Sequence, residues 1–262
     1  MTLGVYTTLG KIGCLLKTHP MAEEWAKSAI KGINVSLESN HHLPDTTQDE
    51  WYGHLTLDMI TQAGVFLKTA GFHNVFDDLR YKYGLDFYGQ LLTPTDPHCN
   101  AGYIAPFGNG QATWNRSAVW GIAAYMMKES HPNFSERMQY YWKRAGIPVG
   151  MKISDRSDYG WINPHLPTSR PEFLSSSYFK QWGAVMRSGV GTDRETFMAM
   201  QLGKPGWYNA EGGFHLHTKG KPLCLVFGIR SWDVGQHNGF PNATMQRWMA
   251  NRPTFDESKR MA

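Results

Sequence analysis

Residues 182–221 read WGAVMRSGVGTDRETFMAMQLGKPGWYNAEGGFHLHTKGK. Two short apolar runs, 182–187 and 196–202, flank a turn with glycines at 189 and 191, which predicts an antiparallel strand pair. Residues 214–218 read as a third strand and 222–227 as a fourth, joined through Lys219, Gly220 and Lys221. Between the second and third strands lies a glycine-rich loop, 203–213, that also carries Trp207, Tyr208, Asn209 and Glu211. A loop that only reverses direction has no need of those four side chains, so they stand as candidate binding groups.

Upstream the period changes from two to three or four. Stretches 23–37, 55–70, 75–91, 118–128 and 134–145 each space apolar residues for one face of a helix. In 55–70 that face is Leu57, Ile60, Ala63 (or Gly64) and Leu67. Thr47 and Glu50 form a capping-box pattern before it, and Gly71 is its stop. From 147 to 177 the pattern dissolves into Pro, Ser, Asp and Gly, an ordered linker with aromatic residues. Helices first and strands later give an α+β multidomain chain, with residues 1–146 helical, 147–177 a linker and 178–262 a strand domain. The last thirty-odd residues are polar and irregular, with one short helix expected at 244–250.

The composition narrows the function. Aromatic residues make up 13% of the chain, with 10 Trp, while charged residues make up only 18%, below the ~25% of an average globular chain. Trp and Tyr suit stacking on sugar rings as well as core filling. A net charge of +4 favours a polyanionic partner. The basic residues are dispersed, which argues against nucleic acid. No apolar run of ~18 residues signals a membrane span, and no signal peptide is visible at the N-terminus. The three cysteines, Cys14, Cys99 and Cys224, lack metal-finger spacing and read as buried or free thiols.

The order of these features resembles the heparinase II/III-like polysaccharide lyases. Its carriers are the Arg187-Ser188-Gly189 turn, the glycine-rich loop with Trp207, the Gly212-Gly213-Phe214 step and the Lys219-Gly220-Lys221 turn. Upstream, the helix ending Phe66-Leu67-Lys68-Thr69-Ala70-Gly71 and the segment Tyr103-Ile104-Ala105-Pro106-Phe107-Gly108-Asn109 resemble that family's α/α-toroid near its tyrosine. The resemblance covers residues 47–228 and implies an incomplete α/α-toroid followed by part of an antiparallel β-sandwich, a fragment of a longer lyase. It also implies secretion or a periplasmic location.

The reaction so implied is β-elimination on a uronic acid within an anionic polysaccharide. The sugar carboxylate must be neutralised, a base must take the C5 proton, and an acid must protonate the leaving oxygen at C4. The family motif assigns Tyr103 as proton donor, or as acid and base together. An isolated phenol has a pKa near 10, so it needs cationic or donor neighbours to act as a base. The resemblance places Gln48 and His54 around the substrate carboxylate and Tyr208 where the family carries His or Tyr. Glu50, Asn109, Arg187, Trp207, Asn209 and Glu211 are the candidate substrate-binding residues. Glu50 also has a sufficient structural reason as a capping residue, and Asn40, His41 and His42 form an alternative polar set.

No cofactor is expected. His215 and His217 share a strand face and could grip a structural zinc; zinc or calcium stays open there, without an evident third ligand. Two other functions remain. One is a toroid glycoside hydrolase using two carboxylates, with Asp49 and Glu50 the candidates, although adjacent residues at a helix start point apart. The other is a non-catalytic polysaccharide-binding fragment. The polysaccharide stays open among heparan-type, ulvan-type and alginate-type chains, as does the oligomeric state.

Overall fold

The computed structural model describes residues 3–39, 50–96, 101–105, 107, 117–146, 160–180, 182–202, 213–219 and 221–224, with Ser39, Glu50, Trp51 and Tyr52 by backbone alone. The described residues form a helical layer followed by a single antiparallel sheet. The helices are α1 (Leu3–Leu15), α2 (Ala22–Ser39), α3 (Glu50–Ala70), α4 (Leu79–Gln90), α5 (Ala118–Met127) and α6 (Pro132–Ala145). The strands are β1 (Ser177–Phe179), β2 (Gly183–Ser188), β3 (Thr196–Gln201), β4 (Phe214–Thr218) and β5 (Lys221–Cys224), paired in chain order.

The expected face of α3 is buried: Leu57, Ile60, Ala63 and Leu67 are all at most 5% exposed. Gly64 faces the Val75–Asp77 turn, where an added Cβ would meet Val75 Cγ1 at 2.4 Å. Gly71 ends α3 at φ 79°, and the next amide, Phe72 N, donates back to Leu67 O at 2.9 Å. That pattern satisfies the helix's terminal carbonyls. Helix α1 was not foreseen. The single helix expected over 75–91 is a 3-10 turn, Val75–Asp77, then α4. Asp78 separates them in an extended conformation, and its side chain accepts from Arg80 N as the cap of α4.

Part of the 147–177 segment is described, and it packs against the helices. Trp161 meets Phe66 edge-on at 5.5 Å, Gln139 Nε2 donates to Asn163 O at 3.0 Å, and Leu174 is buried. The sheet is one strand longer than expected at its start, because Ser177–Phe179 pairs with Gly183–Val185 in register Ser177↔Val185. Alternation along β2, β3 and β4 turns Val185, Arg187, Phe197, Ala199, His215 and His217 inward. Phe87 of α4 and Phe107 clasp Trp182 edge-on at 5.8 Å each, and Phe87 meets Phe179 at 5.0 Å. These rings join the sheet to the helical layer in one apolar core. Among the described residues no helix is long and apolar enough to cross a membrane, and Cys14 and Cys224 are free.

Candidate active site

Tyr103 sits on a short extended segment laid against the end of α4. Leu92 bridges Ile104, and Asp96 bridges Ala101, both antiparallel. Tyr103 O accepts from Thr93 N at 2.8 Å, Tyr103 N donates to Thr93 Oγ1 at 3.0 Å, and Gly102 N donates to Arg144 O at 3.3 Å. Gly102 is squeezed between two backbone runs: a Cβ there would lie 2.9 Å from Thr93 O and 3.0 Å from Arg144 O. The tyrosine's backbone is therefore held from both sides, and its ring is directed at the sheet.

There it meets two histidines. Tyr103 Oη lies 3.0 Å from His217 Nε2, a hydrogen bond, and 3.5 Å from His215 Nε2, a contact at the outer limit for one. The two imidazoles are bonded to each other, Nε2 to Nε2, at 2.9 Å. Both histidines are fully buried, whereas Tyr103 keeps 7% of its surface exposed. The phenol is thus the least buried member of the cluster. Burial pushes the His217 imidazolium down to about 4; Arg187 and Arg144 add to that, and Asp96 and Glu195 oppose it. Burial and the neighbouring His217 push His215 down to about 3. Both rings are neutral at pH 7, so one of them can offer a lone pair to the phenol.

His215 and His217 share a strand face as their spacing required, but they turn that face to Tyr103. Among the described residues no group of three or more His, Cys, Asp or Glu converges to hold a metal ion. The groups that converge there are two neutral imidazoles and a phenol.

Arg187 requires a correction. Expected to face an anionic group of a substrate, its side chain is fully enclosed. Its Nη2 donates to Gln90 O and Leu92 O at 2.5 Å each, and its Nη1 donates to Glu195 Oε1 at 3.2 Å. The guanidinium also lies 4.3 Å above the Phe197 ring. Burial, with Arg144 next, pushes the guanidinium down to about 9, leaving it cationic at neutral pH. Glu195 is 3% exposed and binds Arg144 through both oxygens, at 2.5 and 3.2 Å. Burial pushes the Glu195 carboxyl up, but the hydrogen bond and charge of Arg144 outweigh it, and the net direction is down.

His54 is buried in the helical layer, its ring 5.3 Å from Tyr88 and 5.2 Å from Trp120. Gln48, Asn109, Trp207, Tyr208, Asn209 and Glu211 lie outside the described residues, and Glu50 is described only as the first residue of α3. Sequence reading missed the link from Tyr103 to His217, and it missed Arg144 and Glu195 altogether. The strand alternation held part of the signal, since it puts Arg187, Phe197 and His217 abreast on one face in the register Arg187↔Phe197↔His217.

No protein-family model and no curated protein matches the sequence. Solved structures do match the fold. A heparinase III structure superposes with a TM-score of 0.62 at 14% identity, over 87% of this chain and 34% of that one. A second heparinase III, with methylated lysines, gives 0.60 at 16% identity over 94% of this chain and 34% of that one. A heparan sulfate lyase HepC mutant from Pedobacter heparinus gives 0.61 at 14% identity over 91% and 33%. The chain spans about a third of the length of these structures and shares the α+β architecture of that part.

Proposed function

We propose that this chain belongs to a polysaccharide lyase that cleaves a uronic-acid-containing polysaccharide by β-elimination. The observation that carries the reading is the 3.0 Å hydrogen bond between Tyr103 Oη and His217 Nε2, which joins the helical layer to the sheet. It sits in a fold like that of the heparinase III structures. The HepC lyase is described as acting on heparan sulfate, which makes that polymer the first substrate to try.

The chemistry follows from the neutral imidazole behind the phenol. His217 Nε2 lies within hydrogen-bond distance of the Tyr103 hydroxyl, so one neutral tautomer of the ring accepts the phenol's proton and the other donates to its oxygen. Withdrawal of the C5 proton and departure of O4 break two bonds and form the C4–C5 double bond. Tyr103 passes its hydroxyl proton to His217, takes the C5 proton as the phenolate and gives that proton to O4 as the C4–O4 bond breaks. The phenolate charge beside it is what lets an otherwise neutral His217 hold the extra proton, which then returns to Tyr103. General acid–base help of this kind contributes roughly 10²–10⁴-fold. Donors at the sugar carboxylate supply a larger share; Gln48, His54 and Asn109 are the residues proposed for that role, and Tyr208 for the opposite side of the sugar. Glu50, Trp207, Asn209 and Glu211 are proposed to contact neighbouring sugars. Action on an external polymer fits a secreted or periplasmic protein.

The test is the product. The protein is incubated with heparan sulfate, ulvan and alginate, and both ultraviolet absorbance and reducing ends are followed. Elimination produces an unsaturated uronate that absorbs together with each new reducing end. Reducing ends without absorbance identify a hydrolase, and retention of intact polymer identifies a binding protein; either result overturns the proposal.

A further inference from the structure

We infer that Glu195 is a positioning residue that sets the Tyr103–His217 distance through the buried Arg144–Glu195–Arg187 cluster, an inference whose kinetic part rests on the lyase reading. Glu195 is bonded toward both members of the pair. Its carboxylate grips Arg144 at the end of α6, and Arg144 O in turn holds Gly102 N, the residue before the tyrosine. Its main-chain oxygen accepts from Lys219 N at 3.0 Å, two residues beyond His217. Gly191 N adds a third donor, at 3.1 Å to Glu195 Oε2, which fixes the carboxylate on its own turn.

Arg187 completes the frame from the sheet side. Its Nη2 binds Leu92 O, the residue before Thr93, and Thr93 bonds the Tyr103 backbone twice, through its own N–H and its side-chain hydroxyl. Its ring neighbour Phe197 lies edge-on to His217 at 6.2 Å. Two of the tyrosine segment's anchors, the Leu92–Thr93 strand and the Arg144 carbonyl, thus each involve an arginine that meets the one carboxylate. Glu195→Gln leaves two buried cations facing each other without their anion. Loss of one partner of a buried charge cluster is the costly direction, because the remaining charges stay desolvated. Their repulsion works against the contact between the end of α6 and the sheet, the contact on which both the Gly102–Tyr103 anchor and the His217 strand depend.

The experiment uses the full chain with nitrogen-labelled histidine. The His217 ring signals are assigned by their loss in His217→Gln, and the Tyr103 hydrogen bond is marked by the change they undergo in Tyr103→Phe. Glu195→Gln is expected to move the His217 Nε2 signal the same way as Tyr103→Phe. It should also lower kcat at least ~100-fold, as a misplacement on the order of an ångström does, with KM within about threefold. Glu195→Asp keeps the charge but falls short of both arginines, so it should show a smaller signal change and an intermediate kcat, a partial rescue. A Glu195→Gln protein that melts earlier but keeps the wild-type His217 signal and kcat would assign Glu195 to stability alone and overturn the inference. If Glu195→Gln does not fold, Glu195→Asp decides: wild-type signal and rate refute, an intermediate value supports. If the wild-type protein eliminates none of the polysaccharides, the lyase reading fails, and the His217 signal alone decides the positioning role.

Discussion

Tyr103 and His217 are 114 positions apart in sequence and owe their meeting to two local rules. Alternation along β4 sends His215 and His217 to the same side, and the Thr93 bonds turn the Tyr103 ring toward that side. Their burial has a thermodynamic consequence. An unfolded histidine titrates near 6.5, while the folded values are about 4 for His217 and about 3 for His215. Below pH 6.5 the unfolded chain binds protons that the folded one refuses. Stability is therefore fully present above that pH and is lost as pH falls through about 4. Asp86, pushed up to about 7 by burial, acts with the opposite sign, losing stability as pH rises from the ordinary carboxylate range to about 7. The comparison must hold it constant. The drop in Tm between pH 7 and pH 5 should be larger in the wild type than in a His215→Gln/His217→Gln variant, and an equal drop would refute the assignment. At this scale the sequence marked Tyr103 through its motif and paired the histidines through their spacing. It could not show what the histidines face, nor that Arg187 is buried, because a strand-end arginine reads alike whether it meets solvent or a helix-end carbonyl.

Elements pack here through glycines that sequence reading scores as helix breakers. Helix α1 has Gly4, Gly10 and Gly13, and glycine costs about 1 kcal/mol against alanine inside a helix, so no helix was expected there. Contact with α2 reverses that bias. A Cβ on Gly10 would lie 2.3 Å from Ala29 Cβ, and one on Gly13 2.6 Å from Ala22 O, so the missing side chains are what let the two helices touch. Gly10→Ala should destabilise the fold by about 1–3 kcal/mol through overpacking, read as a lower midpoint in urea unfolding. Gly71→Ala meets no atom within 4 Å but holds φ 79°, so it should cost about 1–2 kcal/mol from backbone strain alone. A neutral Gly10→Ala would show that α1 does not pack on α2 as described. The remaining helices and four of the five strands were legible because their apolar periods and the turns between them are strong. The break at Asp78 and the three-residue β1 were not, since a cap inside an apolar stretch and a strand of three residues carry too little pattern.

Across the whole molecule, the aromatic clasp of Phe87, Phe107, Phe179 and Trp182 and the Arg144–Glu195–Arg187 cluster hold the sheet on the helices. The opposite face of the sheet bears Met186, Met198, Met200, Phe214 and Leu216, none of them buried. The helices-then-strands order was plain in the sequence. Docking of the two layers was not, because it depends on side chains far apart in the chain. The central claim is that a phenol from one layer and an imidazole from the other act together on a uronate. Tyr103→Phe keeps the ring and removes the hydroxyl, so it should cost only about 1 kcal/mol of stability. The decisive measurement is the rate at which this variant and the wild type form ultraviolet-absorbing unsaturated uronate on the best polysaccharide of the panel. The account predicts a loss of at least ~100-fold in a variant that still folds; a Tyr103→Phe protein that eliminates at the wild-type rate would contradict it.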